Sequence, residues 1–376
     1  MKILNLKEEC TACGACASVC PKNCVQLTTD AEGFYFPEID EAKCVGCGKC
    51  ESVCHCLHHR EPETFKASYY GFSTDADILG TSTSGGVFAS LAREILSQGG
   101  SVWGVAFRGE TLRPEHTSTD STALTELQKS KYIESYMGKT IFEIQSEINR
   151  GRRVLFCGTP CEVAGVKHAI KDEGKLLVTV DFICHGVPSS VLFQEHLRKL
   201  LKGEKLVSLD FRPKDKGWNN KSIRVTTASK TRITPYYLDP FYKGFMTENA
   251  ILRRSCYHCK FRTNHFSDIT IADFWGYRAC DPAMNTENGV SLIVANNKTG
   301  NDLVNRLDHF ELHPIDNRYS DYAYAEKDYS KGRHLRDRFY TEYAKSGFEK
   351  AAKKTYMQGY HTQKAKYIIK KILGKV

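Results

Sequence analysis

Two short cysteine runs constrain this chain more than anything else in it. The first reads Cys10-x-x-Cys13-x-x-Cys16-x-x-x-Cys20-Pro21, and the second Cys44-x-x-Cys47-x-x-Cys50-x-x-x-Cys54. That spacing wraps three thiolates of one tight loop around a cubane of iron and sulfide. The fourth cysteine of each run starts a short helix and reaches back to the other cubane. Cys10, Cys13, Cys16 and Cys54 are therefore expected to hold one 4Fe-4S cluster, and Cys44, Cys47, Cys50 and Cys20 the second. Gly14, Gly46 and Gly48 suit loops whose amides must approach sulfur closely. The competing assignment is a pair of structural zinc sites, but zinc modules usually present their ligands as two separated pairs.

The second run departs from the pattern at its end. His55 stands where a proline is usual, and Cys56 lies close enough to replace Cys54 as ligand. Cys24 and Cys56 have no assigned part and read most simply as small packed residues. Residues 1–60 are thus expected to form an α+β ferredoxin-like two-cluster module that moves single electrons.

The 376 residues hold sixteen cysteines in all. The opening MKILNLKEEC has neither the apolar stretch nor the cleavage site of a secretory leader. No apolar run approaches the ~20 residues of a membrane span. The expectation is a cytoplasmic chain that uses cysteine for metal or catalysis rather than for disulfides. A net charge of +9 fits an acidic partner or a membrane surface, and equally a plain solvated exterior.

After a polar linker, residues 68–315 read as one α/β unit. Residues 80–108 place Val87, Leu91 and Ile95 on one helical stripe between a Ser/Thr/Gly-rich loop and the strand SVWGVAF. Such a loop offers free N–H groups and hydroxyls to a phosphate or ring, and also makes an ordinary helix cap. FEIQSEINRG reads as helix, RRVLFCGTP as strand and turn, and CEVAGVKHAI as helix. LLVTVDFICHGVPSS then reads as a strand ending in a loop. Alternating strands and helices predict a mostly parallel sheet, with ligands beyond the carboxyl ends of its strands, where Cys161 and Cys184 fall. Downstream, Cys256 and Cys259 form a C-x-x-C pair ahead of the strand DITIADF. Alone that pair is ambiguous between zinc, a redox disulfide and half of a cluster site; with Cys161 and Cys184 it makes four thiols.

The segments STSGGVFASL (82–91), SKY (130–132), GTPCEVAG (158–165), CHGVPS (184–189), SCYHCKF (255–261) and SDITIADFWG (267–276) together resemble the beta-subunit family of coenzyme F-420 hydrogenases and dehydrogenases, in its bacterial form with a ferredoxin module in front. The resemblance implies an α/β flavin-binding domain that carries FAD and a further 4Fe-4S cluster, with Cys161, Cys184, Cys256 and Cys259 as its ligands. It places flavin contacts on Thr83, Ser84, Gly85 and Gly86, on Lys131 and Tyr132, and secondarily on Gly158 and Thr159. A cation such as Lys131 near the flavin N1/C2 carbonyl would stabilise the reduced ring. His185 is either a proton relay or a hydrogen-bonded neighbour of the cluster. With Lys131 it is the candidate catalytic pair.

The resemblance further implies an oxidoreductase taking electrons from ferredoxin or another electron carrier. A two-electron acceptor follows, either a small molecule or a sugar-derived substrate of cell-surface polysaccharide synthesis. A non-catalytic electron-transfer subunit and a coenzyme F-420 oxidoreductase are the alternatives. No nucleic-acid-binding module is evident. Residues 316–376 read as a basic, helical tail, with Tyr367, Ile368, Ile369, Ile372 and Leu373 forming a stripe that could rest on the inner face of a membrane.

Overall fold

The computed structural model describes residues 2–61, 63–282, 284, 287–323 and 329–372. The N-terminal module contains the antiparallel hairpin of β1 (Val25–Thr29) and β2 (Tyr35–Ile39), registered Val25 opposite Ile39. Two single-turn helices, Ala15–Ser18 and Lys49–Ser52, hold Cys16 and Cys50 and end before Cys20 and Cys54. The fourth cysteine of each run therefore follows a helix, whereas its spacing predicts that it starts one. Each helix starts from a left-handed glycine, Gly14 at φ 75° and Gly48 at φ 70°. A β-carbon would strain that backbone, which explains the glycine in both runs.

An eight-stranded sheet forms the body. Its strands are β3 (Ala67–Ser73), β4 (Ser101–Arg108), β5 (Arg113–Ser118), β6 (Val154–Cys157), β7 (Leu177–Phe182), β11 (Ile269–Asp273), β12 (Ser291–Ala295) and β13 (Phe310–Ile315). They lie in the order β13-β3-β12-β11-β7-β6-β4-β5. Only the central four, β4, β6, β7 and β11, run parallel. The sheet is therefore mixed, not mostly parallel as the alternating pattern predicts. β5 returns from β4 through a four-residue turn too short for a crossover, and β12, β3 and β13 add antiparallel strands on the other side.

The helices Thr140–Asn149 and Pro160–Ala169 cross between the parallel strands. Val87, Leu91, Ala92 and Ile95 of the helix Val87–Ser97 seat fully on β4, β6 and β7, as their spacing predicts. Between β7 and β11 comes a long excursion. It holds the helix Ser190–Leu201 and a small antiparallel sheet of β8 (Leu206–Asp210), β9 (Ser222–Thr227) and β10 (Thr231–Pro235).

The segment expected as a tail is helical at Ser330–Ser346, Phe348–Thr355 and Tyr360–Ile372. Its first two helices are core rather than appendage. Phe339, Phe348, Ala351 and Ala352 are buried with Phe193, Phe241 and Phe245. Each such phenylalanine contributes roughly 1.5–3 kcal/mol on burial. Only the last helix shows an apolar exterior, at Ile368 and Ile369; Leu373 lies outside the described residues. Among the described residues no helix is long and apolar enough to cross a membrane.

Candidate functional site: three cysteine quartets and a cationic, aromatic edge

The N-terminal cysteines fall into two groups. Cys13 and Cys16 lie in the electrostatic field of Cys10 and Cys54. Cys20, Cys44, Cys47 and Cys50 line a separate hollow. Cys24 shares that hollow, with its sulfur 3.3 Å from that of Cys20. Cys56 donates to the Glu9 carbonyl at 3.3 Å and to Cys54, which lowers the Cys54 thiol to about 6. His55, the departure from the usual proline, is buried where the module meets the sheet domain. Its Nε2 lies 2.9 Å from Thr11 Oγ1, and its ring stands edge-on to Phe261 at 5.0 Å.

The structure brings Cys161, Cys184, Cys256 and Cys259 together from three distant segments. Cys161 occupies the first turn of the helix Pro160–Ala169, which Thr159 and Glu162 close with a reciprocal capping box. Thr159 Oγ1 lies 3.1 Å from its sulfur. Cys184 follows β7 and accepts the Gly186 N–H at 3.3 Å. Cys256 sits in the short helical turn Arg254–His258, and Cys259 lies between it and the next, Lys260–Arg262. Cys161 feels Cys259 and Cys184, and Cys184 feels Cys256 and Cys259. Burial pushes the Cys256 thiol up to about 12. Thiols so placed suit a cationic inorganic centre, which deprotonates the sulfurs it binds. Among the described residues no group of three or more histidine, cysteine or carboxylate side chains is placed to hold a single metal ion.

The first quartet lies against the helix that carries Cys161. A β-carbon built on Gly165 would lie 2.6 Å from both Cβ and Sγ of Cys13, and Gly165 is one turn along the helix from Cys161. Arg253, 1% exposed, spans the same seam. Its Nε donates to the Cys10 carbonyl at 2.7 Å, Nη2 to the Tyr35 carbonyl at 2.8 Å, and Nη1 pairs with buried Glu134.

The residues expected at a flavin gather at the carboxyl edge of the parallel strands. Thr83 Oγ1 accepts the Ser130 N–H at 3.1 Å, tying the two loops together. Ser84 Oγ donates to the Val290 carbonyl at 2.8 Å. Gly85 is wedged against the Gly71 carbonyl and the Ser291 amide, while Gly86 is left-handed at φ 87°. Gly158 donates to the Val180 carbonyl at 3.1 Å, and Thr159 is occupied as the cap. Packing and turns thus already account for these glycines. Tyr132 packs edge-on to Tyr242 at 6.2 Å. His185 Nε2 lies 2.6 Å from Asn249 Oδ1, on the far side of Cys184.

Lys131 Nζ donates to the Glu126 carbonyl at 2.7 Å and also to that of Gln128. Burial lowers it to about 7. Lys214, which sequence reasoning missed, donates to the Leu79, Ser84 and Asn288 carbonyls, and burial lowers it to about 8. Beside it Arg212 pairs with Asp273, and Trp218 stacks on Trp275 at 4.2 Å and 12°. Trp275 is 46% exposed. The only sequence signal for this group is the basic run FRPKDKGW, residues 211–218. Among the described residues neither Lys131 nor Lys214 has a carboxylate in salt-bridge contact. Both lysines are half-buried, and their ammoniums are held by backbone carbonyls, while Arg212 and Lys221 lie over the Trp275 ring at 5.0 and 5.5 Å.

Two cysteine quartets in a ferredoxin-type module, set on a mixed α/β sheet, define an iron–sulfur electron-transfer protein. Residues 9–57 match the 4Fe-4S dicluster domain, and residues 151–318 match the family model for the C terminus of the coenzyme F420 hydrogenase/dehydrogenase beta subunit. Residues 151–318 are thus similar to the C-terminal domain of that oxidoreductase family, with a dicluster module in front. The matched stretch includes the third quartet but begins after Thr83–Gly86 and Lys131–Tyr132. A solved structure of the F420-reducing [NiFe] hydrogenase complex from Methanosarcina barkeri is similar at 16% identity, over 74% of this chain and 93% of that one, with a TM-score of 0.46. A likeness at that level carries no argument about function. None of the curated proteins matches.

Proposed function

We propose that the chain conducts electrons from an external carrier through three 4Fe-4S clusters to FAD, and so to a two-electron acceptor. The observation that carries this reading is the seam of Cys13 on Gly165, one turn from Cys161. It sets one cysteine of a ferredoxin-type loop against the helix that carries Cys161.

Each part of the chain has a task in that reading. Cys10, Cys13, Cys16 and Cys54 hold the cluster facing inward, and Cys20, Cys44, Cys47 and Cys50 hold the one facing solvent. Cys161, Cys184, Cys256 and Cys259 hold the third, with the Gly186 N–H turned to sulfur to favour added negative charge. Arg212 and Lys214 supply positive charge at the carboxyl edge, Lys131 supplies an N–H donor, and Tyr132, Trp218 and Trp275 supply aromatic walls. FAD bound there would convert single electrons into a pair for a small-molecule or sugar-derived acceptor. His185, held by Asn249, keeps an imidazole beside Cys184.

The test is iron, acid-labile sulfide and extractable flavin per chain in protein purified without oxygen. The reading expects about twelve irons and one FAD. About eight irons without flavin would overturn it and leave only the dicluster module.

A further inference from the structure

The two cysteine loops are near copies, TACGACASVC at 11–20 and VGCGKCESVC at 45–54, yet the structure treats them oppositely. In the first copy Ala12, Gly14 and Ala15 are buried. Ala15 packs with Met137 and Val163, and Cys13 lies on Gly165. In the second copy every residue from Val45 to Lys49 is exposed, and a β-carbon on Gly46 or Gly48 would meet nothing within 4 Å. Lys49 stands where the first copy has Ala15.

The two ends of the module therefore differ in what covers them. The inward end is docked on this chain's own helix Pro160–Ala169. The outward end has an apolar centre, Val45, at 61% exposure over the exposed Cys47. Lys22 and Lys49 line the same hollow, and Lys43 stands at its edge with its ammonium 2.7 Å from Asp40. An exposed apolar centre inside a charged rim is the anatomy of a transient protein contact. A lysine rim favours a partner of negative charge and speeds its encounter.

We infer that this face, Val45 and Cys47 ringed by Lys22, Lys43 and Lys49, is the docking surface for an acidic one-electron carrier protein. It rests on the electron-transfer reading above and names where the partner binds. One electron passes per encounter: the carrier is oxidised by one electron and the outward cluster reduced by one. No bond is made or broken and no proton is needed.

The experiment uses the full, cluster-loaded chain and follows bleaching of the clusters by stopped flow. The probes are a reduced acidic two-iron ferredoxin and, separately, dithionite at high salt, where its own charge is screened. Lys22→Gln with Lys49→Gln should slow ferredoxin about tenfold or more at low salt, and the wild-type rate should fall as salt rises. Val45→Asp should slow ferredoxin as well. Dithionite bleaching and iron content should stay as in the wild type. Ferredoxin rates unchanged in both variants, or independent of salt, would overturn the inference. So would a wild-type dimer that Val45→Asp converts to monomer, because the face would then cover a second copy. Failure of the clusters to bleach with dithionite in the wild type would instead overturn the electron-transfer reading.

Discussion

Replacing Gly165 by alanine tests the seam between the module and the sheet domain, and the sign of the result decides it. In an open helix position Gly→Ala stabilises by up to ~1 kcal/mol, because alanine loses less backbone freedom on folding. At Gly165 the new carbon would lie 2.6 Å from Cys13 Cβ and Sγ, whereas non-bonded carbons prefer ~3.5–4.0 Å. The helix or the cysteine must therefore retreat by roughly 1 Å. Overpacking of that kind costs ~1–3 kcal/mol. The net effect runs from neutral to ~2 kcal/mol destabilising. Gly80→Ala is the matched control, since it is helical and a β-carbon there meets nothing within 4 Å. Urea midpoints measured without oxygen should rank Gly80→Ala above wild type, with Gly165→Ala level with it or below. The ranking is the readout, because a chain with bound clusters does not unfold in two states. If Gly165→Ala stabilises as much as Gly80→Ala, the module is not seated as described.

Three further outcomes follow from the same geometry. Cys161→Ala should remove about four irons per chain and leave the dicluster module's roughly eight; full iron retention refutes the third quartet. Arg253→Met leaves the Glu134 carboxylate buried without its guanidinium, at a cost of ~3–5 kcal/mol, and should speed proteolysis at the 58–63 linker. An unchanged melt would show that the pair does not hold the module. Lys131 is held at about 7 against 10.5 when exposed. Between those values the unfolded chain keeps a proton that the folded chain has released, so stability should rise with pH across that window. Lys131→Met should flatten the rise, and an equal rise in the variant would refute a buried, neutral lysine.

Features encoded within a few residues were legible in the sequence. The cysteine spacing marks the dicluster module that residues 9–57 match, and the Val87–Ile95 stripe places a helix and its buried face. Sheet direction was less legible. The alternation around β6 and β7 is a true sign of parallel strands, but β5 is joined to β4 by a tight turn, and β3, β12 and β13 come from chain segments far apart. The helices at 330–355 looked polar because each hides a narrow apolar face, around Phe339 and Phe348, under many lysines and arginines. Arg212 and Asp273 are 61 residues apart. No local pattern marks such a pair, and only the folded sheet brings it together.

The clasp between the two ends of the chain has a consequence for how the protein is made. Arg336, fully buried, donates to Glu32 Oε1 at 3.1 Å and to the Leu252 carbonyl at 2.8 Å. Glu32, on the turn of the β1–β2 hairpin, is synthesised 304 residues before this partner. At ribosomal speeds of ~5–20 residues per second the delay is on the order of 15–60 s. Over that interval the nascent module has neither its clasp nor, at first, the Gly165 helix against Cys13. Until that helix is made, the inward loop is as bare as the outward one. The helix Pro160–Ala169 covers that loop first and Arg336 locks the hairpin last, so the module is seated in two steps set by the order of translation.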